Sequence, residues 1–128
     1  MITVTLKDIL DGQETLQKLS GSELPGRTAF QIGRLLKKLE TVLTEYNDTR
    51  IKLLEKYANR TEDGNFELND KNEYQFTQEN IEIYIKEINN LISEEIEIDV
   101  MPIRLEDIEN LTFTPSEMAI LEPFMTIE

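Results

Sequence analysis

The chain contains no cysteine, no histidine and no tryptophan. Together these absences remove disulfides, thiol nucleophiles, Cys/His zinc sites and every Ser-His or Cys-His catalytic arrangement. Acid–base or metal work would fall to carboxylates, Lys, Tyr and Arg, so an enzyme here would have to be a carboxylate and Mg²⁺ design. Neither enzyme activity nor a cofactor is expected. Long apolar runs are missing too, since none approaches the roughly 18 residues of a membrane span. No membrane partner is expected. The opening "MITVTLKDIL" lacks a basic region followed by an apolar segment, and the expectation is a chain that is not secreted.

What the sequence does have is charge, unevenly spread. Its 128 residues are 39% apolar and 30% charged, a globular composition that fits one domain over 1–128. The net charge is −13. Residues 27–60 carry eight Lys/Arg against four Asp/Glu, whereas residues 61–128 carry three against eighteen. A basic segment followed by an acidic one predicts that the two pack together. The overall charge disfavours nucleic acid as a partner.

Apolar periodicity predicts a helix over 6–19, with Leu6, Ile9, Leu10, Leu16 and Leu19 near one face and Thr5 with Asp8 as a capping box. After "SELPG" the helical period resumes through Ile32, Leu36, Leu39, Leu43, Tyr46, Leu53 and Tyr57, predicting one long helix over 27–59 in which Arg50 takes a core-edge position. Residues 60–76 contain Asp63-Gly64 and β-favouring pieces, and a small hairpin or structured loop is expected there. A helix over 78–94 begins at the N-cap Thr77. Alternation then predicts a strand over 95–105, its acidic face formed by Glu95, Glu97 and Asp99. A short helix over 115–123 is marked by Thr114, Pro115 and Glu117, with a strand at Leu111–Phe113 before it.

Lengths add a constraint. At about 1.5 Å per residue the long helix spans roughly 50 Å and its antiparallel partner only about 25 Å. Internal cover for Ile32 to Leu39 is expected from the first helix and the C-terminal strands, with some apolar surface left over. That remainder predicts self-association, in which Arg50 would pair with an acid across the interface.

Two motifs resemble ligand loops. "GSELPGRT" (21–28) is one position away from a phosphate loop, but Arg27 stands where the lysine belongs, Glu23 would enter an anion cradle, and a helix rather than a strand precedes it. It reads as an interhelical turn. "NRTEDGNFELND" (59–70) fits part of a calcium loop, yet Asn59 replaces the leading Asp, Thr61 is a weak ligand, and Asp70 is too short for the bidentate Glu position. A turn at Asp63-Gly64 accounts for the same residues. Arg34, Lys37 and Lys38 form a small basic patch, read as contact with acidic parts of the same chain. As a small-ligand site, Tyr46, Arg50, Tyr57 and Arg60 form the cluster to inspect.

Leu24-Pro25, Lys56-Tyr57, Asp63-Gly64-Asn65 and Pro102-Ile103-Arg104-Leu105, in that order, give the chain a resemblance over most of its length. It resembles a group of small proteins encoded by tailed bacteriophages and prophages, in which a Leu-Pro turn opens a long helix and an acidic strand follows a second helix. The resemblance implies a phage origin, a setting in the bacterial host cytoplasm or the virion, and no catalytic residues.

The expected fold is α+β, mainly α: a long antiparallel helical hairpin with an N-terminal helix and a small C-terminal β element. The expected function is non-enzymatic protein–protein binding, to a second copy or to a host or virion protein, in virion assembly or inhibition of a host factor. Leu39, Tyr46, Arg50 and Tyr57 on the long helix, with Glu95, Glu97 and Asp99 on the acidic strand, are the expected contact residues. The alternatives are an acidic DNA mimic that inhibits a host nucleic-acid enzyme, and a small-ligand-binding anti-defence protein. Millimolar calcium or magnesium is expected to leave the melting temperature unchanged, because a specific site would stabilise the fold by mass action. A saturable rise abolished by Asp63→Ala would restore the calcium-loop reading.

Overall fold

Side-chain caps set where the helices begin. Thr5 Oγ1 accepts from the Asp8 N–H at 3.1 Å while the Thr5 N–H donates to Asp8 Oδ2 at 3.0 Å, so two otherwise orphaned donors are satisfied reciprocally. The same box recurs between Thr114 and Glu117, with Pro115 at the first helical position. Thr77 Oγ1 caps the Asn80 N–H, and the Pro25 carbonyl accepts from Ala29 at the start of the long helix.

The computed structural model describes residues 1–126, and the architecture is α+β, mainly α. In order the elements are β1 (Ile2–Thr5), α1 (Leu6–Ser20), α2 (Gly26–Tyr57), α3 (Gln78–Ile92), β2 (Glu95–Ile98), β3 (Ile103–Arg104), a 3₁₀ turn (Leu105–Ile108), α4 (Pro115–Leu121), a second 3₁₀ turn (Glu122–Phe124) and β4 (Met125–Thr126). They form two compact units, one made of Met1–Leu43 with the segment from Ser93 onward, the other of Thr44–Ile92.

The first unit holds the main core. β1 and β2 pair antiparallel, Ile2 opposite Ile98 and Val4 opposite Ile96, which turns these apolar side chains to one face. They pack with Ile9, Leu16 and Leu19 of α1 and with Ile32, Leu35 and Leu39 of α2, and Leu121 and Phe124 complete the cluster. The expected internal cover for residues 32–39 is therefore present. Gly12 lets α1 approach Phe124 closely, since a Cβ there would stand 3.2 Å from the ring atom Cε2.

Lys18 ties α1 to the C-terminal segment. Its ammonium donates to the Thr112 carbonyl at 3.2 Å, forms an ion pair with Glu117 at 3.0 Å, and lies 5.0 Å from the centre of the Phe113 ring.

In the second unit the remainder of α2 runs antiparallel to α3. Asn80 Nδ2 donates to the Tyr57 carbonyl at 3.2 Å, and the Tyr57 hydroxyl donates to Glu87 Oε1 at 3.0 Å. The intervening loop is a small β-paired excursion, with Arg60 opposite Phe66 and Leu68 opposite Tyr74. Its tip uses Gly64 at φ +84°, a conformation that suits glycine.

Several details differ from the sequence expectation. β1 was not foreseen. The strand expected over 95–105 breaks after Ile98, where the Val100 N–H folds back onto the Ile98 carbonyl, and Pro102 then offers no N–H to a ladder. β3 belongs to a different pairing, parallel to β4. No strand forms at Leu111–Phe113; the Leu111 N–H is used in a turn to the Ile108 carbonyl, and Lys18 takes the Thr112 carbonyl. The long helix stops at Tyr57 because Asn59 exchanges main-chain bonds with Gln75 and Glu67.

Gly12→Val is expected to cost about 1–3 kcal/mol, as overpacking against an immobile ring does. Thermal denaturation checks this, and an unchanged melting temperature would mean that the ring yields freely. A second expectation concerns acid. The Thr114 N–H and then Lys18 hold the Glu117 carboxyl below its ordinary value of 4.5. Its contribution is therefore fully present above that value and is lost as pH falls through the lower folded-state pKa. Glu117→Gln should lower the melting temperature at neutral pH, with the gap to the native chain closing below about pH 4. A gap that stays constant down to pH 3 would refute the assignment.

Candidate protein-binding surfaces

The expected contact residues do not assemble into one site. Leu39 is only 3% exposed, at the floor of a 400 Å³ groove between α1 and α2 edged by Gln13, Gln17 and Glu40. It is a core residue and not an interface residue. It is covered by the first helix and the C-terminal segments, as expected for Ile32 to Leu39, rather than belonging to the apolar surface left over.

Tyr46, Arg50 and Tyr57 lie in the second unit; Tyr46 and Arg50 both lie near Tyr84, whereas Tyr57 is drawn to Glu87. The Arg50 guanidinium donates to Asn47 Oδ1 at 3.0 Å and lies beside Tyr84. Burial raises the Tyr84 phenol above its usual pKa, with Arg50 working in the opposite direction. Half-buried Arg50 thus has partners inside its own hairpin. Tyr57 is engaged by Glu87, and Lys56, 5.2 Å from the Tyr57 ring, has its pKa raised by Tyr57 and then by Glu87. Arg60 turns away to the Gly64 carbonyl and stacks 4.7 Å from the Phe66 ring. Of the four side chains in the expected ligand cluster, Tyr46 and Arg50 meet near Tyr84, while Tyr57 and Arg60 are engaged by Glu87 and by Gly64 with Phe66.

Glu95 and Glu97 occupy the exposed face of β2, opposite Thr5 and Thr3 of β1. Asp99 lies past the strand end, in the turn where Lys38 Nζ donates to its main-chain carbonyl at 2.8 Å. The three carboxylates are not a single row. Among the described residues no group of three or more Asp/Glu side chains is arranged to hold a metal ion, and no helix is long and apolar enough to cross a membrane. The basic stretch of α2 meets the acidic half through Lys38 and Lys56, whereas Arg34 lies over the Phe30 ring at 6.0 Å.

Two surfaces not singled out by sequence reasoning are prominent. None of α3's residues is buried, although the helix carries Ile81, Ile83, Tyr84, Ile85, Ile88, Leu91 and Ile92. Ile85 is 50% exposed, and Ile51 on α2 is 38% exposed. The apolar stripe of α3 was legible, but not how little of it would be covered.

The other surface lies in the first unit. A cavity of 620 Å³ is lined by Leu105, Pro115, Met118, Ala119, Glu122 and Met125. A neighbouring cavity of 310 Å³ shares Leu105 and Met118 and adds Ile108, Glu109, Leu111 and Phe113. Pro115, Met118 and Ala119 of the expected short helix form half of the larger wall, but the facing residues Leu105 and Met125 come from a 3₁₀ turn and a two-residue strand, which have no readable period.

No protein-family model, curated protein or solved structure matches this chain.

Proposed function

We propose that this chain is a non-enzymatic protein that works through protein–protein contact, beginning with its own self-association through the second unit. The observation that carries the reading is the incomplete burial of α3. A two-helix hairpin can cover only one side of each apolar stripe, and Ile83 and Ile85 of α3, with Ile51 of α2, are left exposed while Ile81, Ile88 and Ile92 are half-buried. A second hairpin laid against these residues would turn two half-covered stripes into one bundle core. The resemblance supports a phage setting, in the virion or the host cytoplasm, with virion assembly or inhibition of a host factor as the task.

Sedimentation of the full chain tests the reading. A dimer is expected at micromolar concentration, and Ile85→Glu should return it to a single species near 14.9 kDa without loss of helical signal. Leu39→Glu would be a poor probe, because it would break the first unit's core. A native chain that stays monomeric up to high micromolar concentration would overturn self-association.

A further inference from the structure

The paired cavities around Leu105 and Met118 suggest a second kind of partner. We infer that this trough receives a cationic amphipathic helix of another protein, with apolar side chains entering the two cavities and Lys/Arg flanks meeting the acidic rim. Three observations converge on that chemistry.

The first is shape. The two cavities share Leu105 and Met118 as walls, and both open to the surface rather than forming enclosed holes. Trough-like apolar surfaces suit the row of side chains that a helix presents at spacings of three and four. The second is the lining. Leu105 is 37% exposed, and Met118 and Met125 supply unbranched, polarisable side chains that adapt to different apolar shapes. Among the described residues that line it, Glu109 and Glu122 are the only charged ones, too few convergent polar groups to orient a small metabolite.

The third is charge, and it selects the partner. Each cavity includes one carboxylate in its wall, Glu122 in the larger and Glu109 in the smaller. Residues 93–126 contain nine Asp/Glu and a single Arg. That residue, Arg104, is paired with Glu106, and Lys18 from α1 is paired with Glu117. The cations of this surface are thus already neutralised, while Glu109 and Glu122 face the trough. An anionic partner would be repelled, and a neutral apolar one would desolvate carboxylates without compensation. A basic amphipathic helix satisfies both the apolar floor and the acidic rim.

This site is carried by the first unit and does not depend on the self-association proposed for the second, so a monomer in sedimentation would leave it standing. The probe is a synthetic Leu/Lys amphipathic peptide of about 18 residues, five helical turns. Controls are a scrambled peptide of the same composition and a Leu/Glu counterpart. Titration calorimetry on the full chain should show saturable micromolar binding of the Leu/Lys helix alone. Reversing the rim with Glu109→Lys and Glu122→Lys together should weaken it about tenfold, as loss of paired rim charges does. An equal change of net charge in the other unit, Glu62→Lys with Asp63→Lys, should leave the affinity within about twofold. Leu105→Gln, at a partly exposed position, should also weaken binding, and backbone amide shifts should cluster in residues 105–125. Equal weakening by the two charge reversals would mean unspecific attraction to an acidic protein and would overturn the site. So would binding of the scrambled peptide, shifts centred elsewhere, or no binding at all.

Discussion

The first unit depends on the pairing of β1 with β2. Four residues at the start of the chain meet four that follow α3, Ile2 opposite Ile98 and Thr5 opposite Glu95, and this contact joins residues at least ninety positions apart. Without it Ile2, Val4, Ile96 and Ile98 would have no common face, and the stretch of α2 from Ile32 to Leu39 would lose part of its cover. The pairing also fixes α1, because Thr5 ends the strand and caps the helix with the same residue. A long-range contact of this kind carries a loop-closure cost that grows only slowly with length, so a large apolar return can offset it.

That dependence explains which parts of the fold were legible. Helix starts written as Thr5 with Asp8, Thr77, and Thr114 with Glu117 are local chemistry, and the structure uses each of them. The long helix and α3 follow from a period that repeats over many residues. β1 has only four residues, and its β-branched run Ile2-Thr3-Val4-Thr5 was an available signal. Its role, however, is set by a partner that lies almost at the other end of the sequence. β3 and β4 are two residues each, too short for any periodicity, and they exist because tertiary packing brings them side by side.

The surfaces were harder to read than the fold, for a related reason. A single sequence shows that a stripe is apolar but not how much of it its neighbours will cover. Leu39 and Ile85 look alike in the pattern, yet one is 3% and the other 50% exposed. The difference is what packs over each: β-strand, helix and C-terminal residues surround Leu39 in the first unit's core, whereas Ile85 belongs to a helix none of whose residues is buried. The same logic applies to charge. Lys18 and Glu117 lie far apart in the sequence, and only the structure shows that they cancel each other while Glu109 and Glu122 do not meet a cation in the cavity walls.

Glu117, Lys56 and Tyr84 have displaced pKa values, and each displacement traces to a structural contact: a helix cap with an ion pair, an ammonium beside a phenol, and burial within a hairpin. In an active site such displacements arise where several titratable groups converge in one cleft and perturb one another. Here Glu117 belongs to one unit and the other two to the second, and none of the three lines the trough around Leu105 and Met118. The larger cavity combines an apolar lining with Glu122, and the smaller one with Glu109. The two surfaces proposed for binding thus belong to different units, so a change that disables one leaves the residues of the other in place.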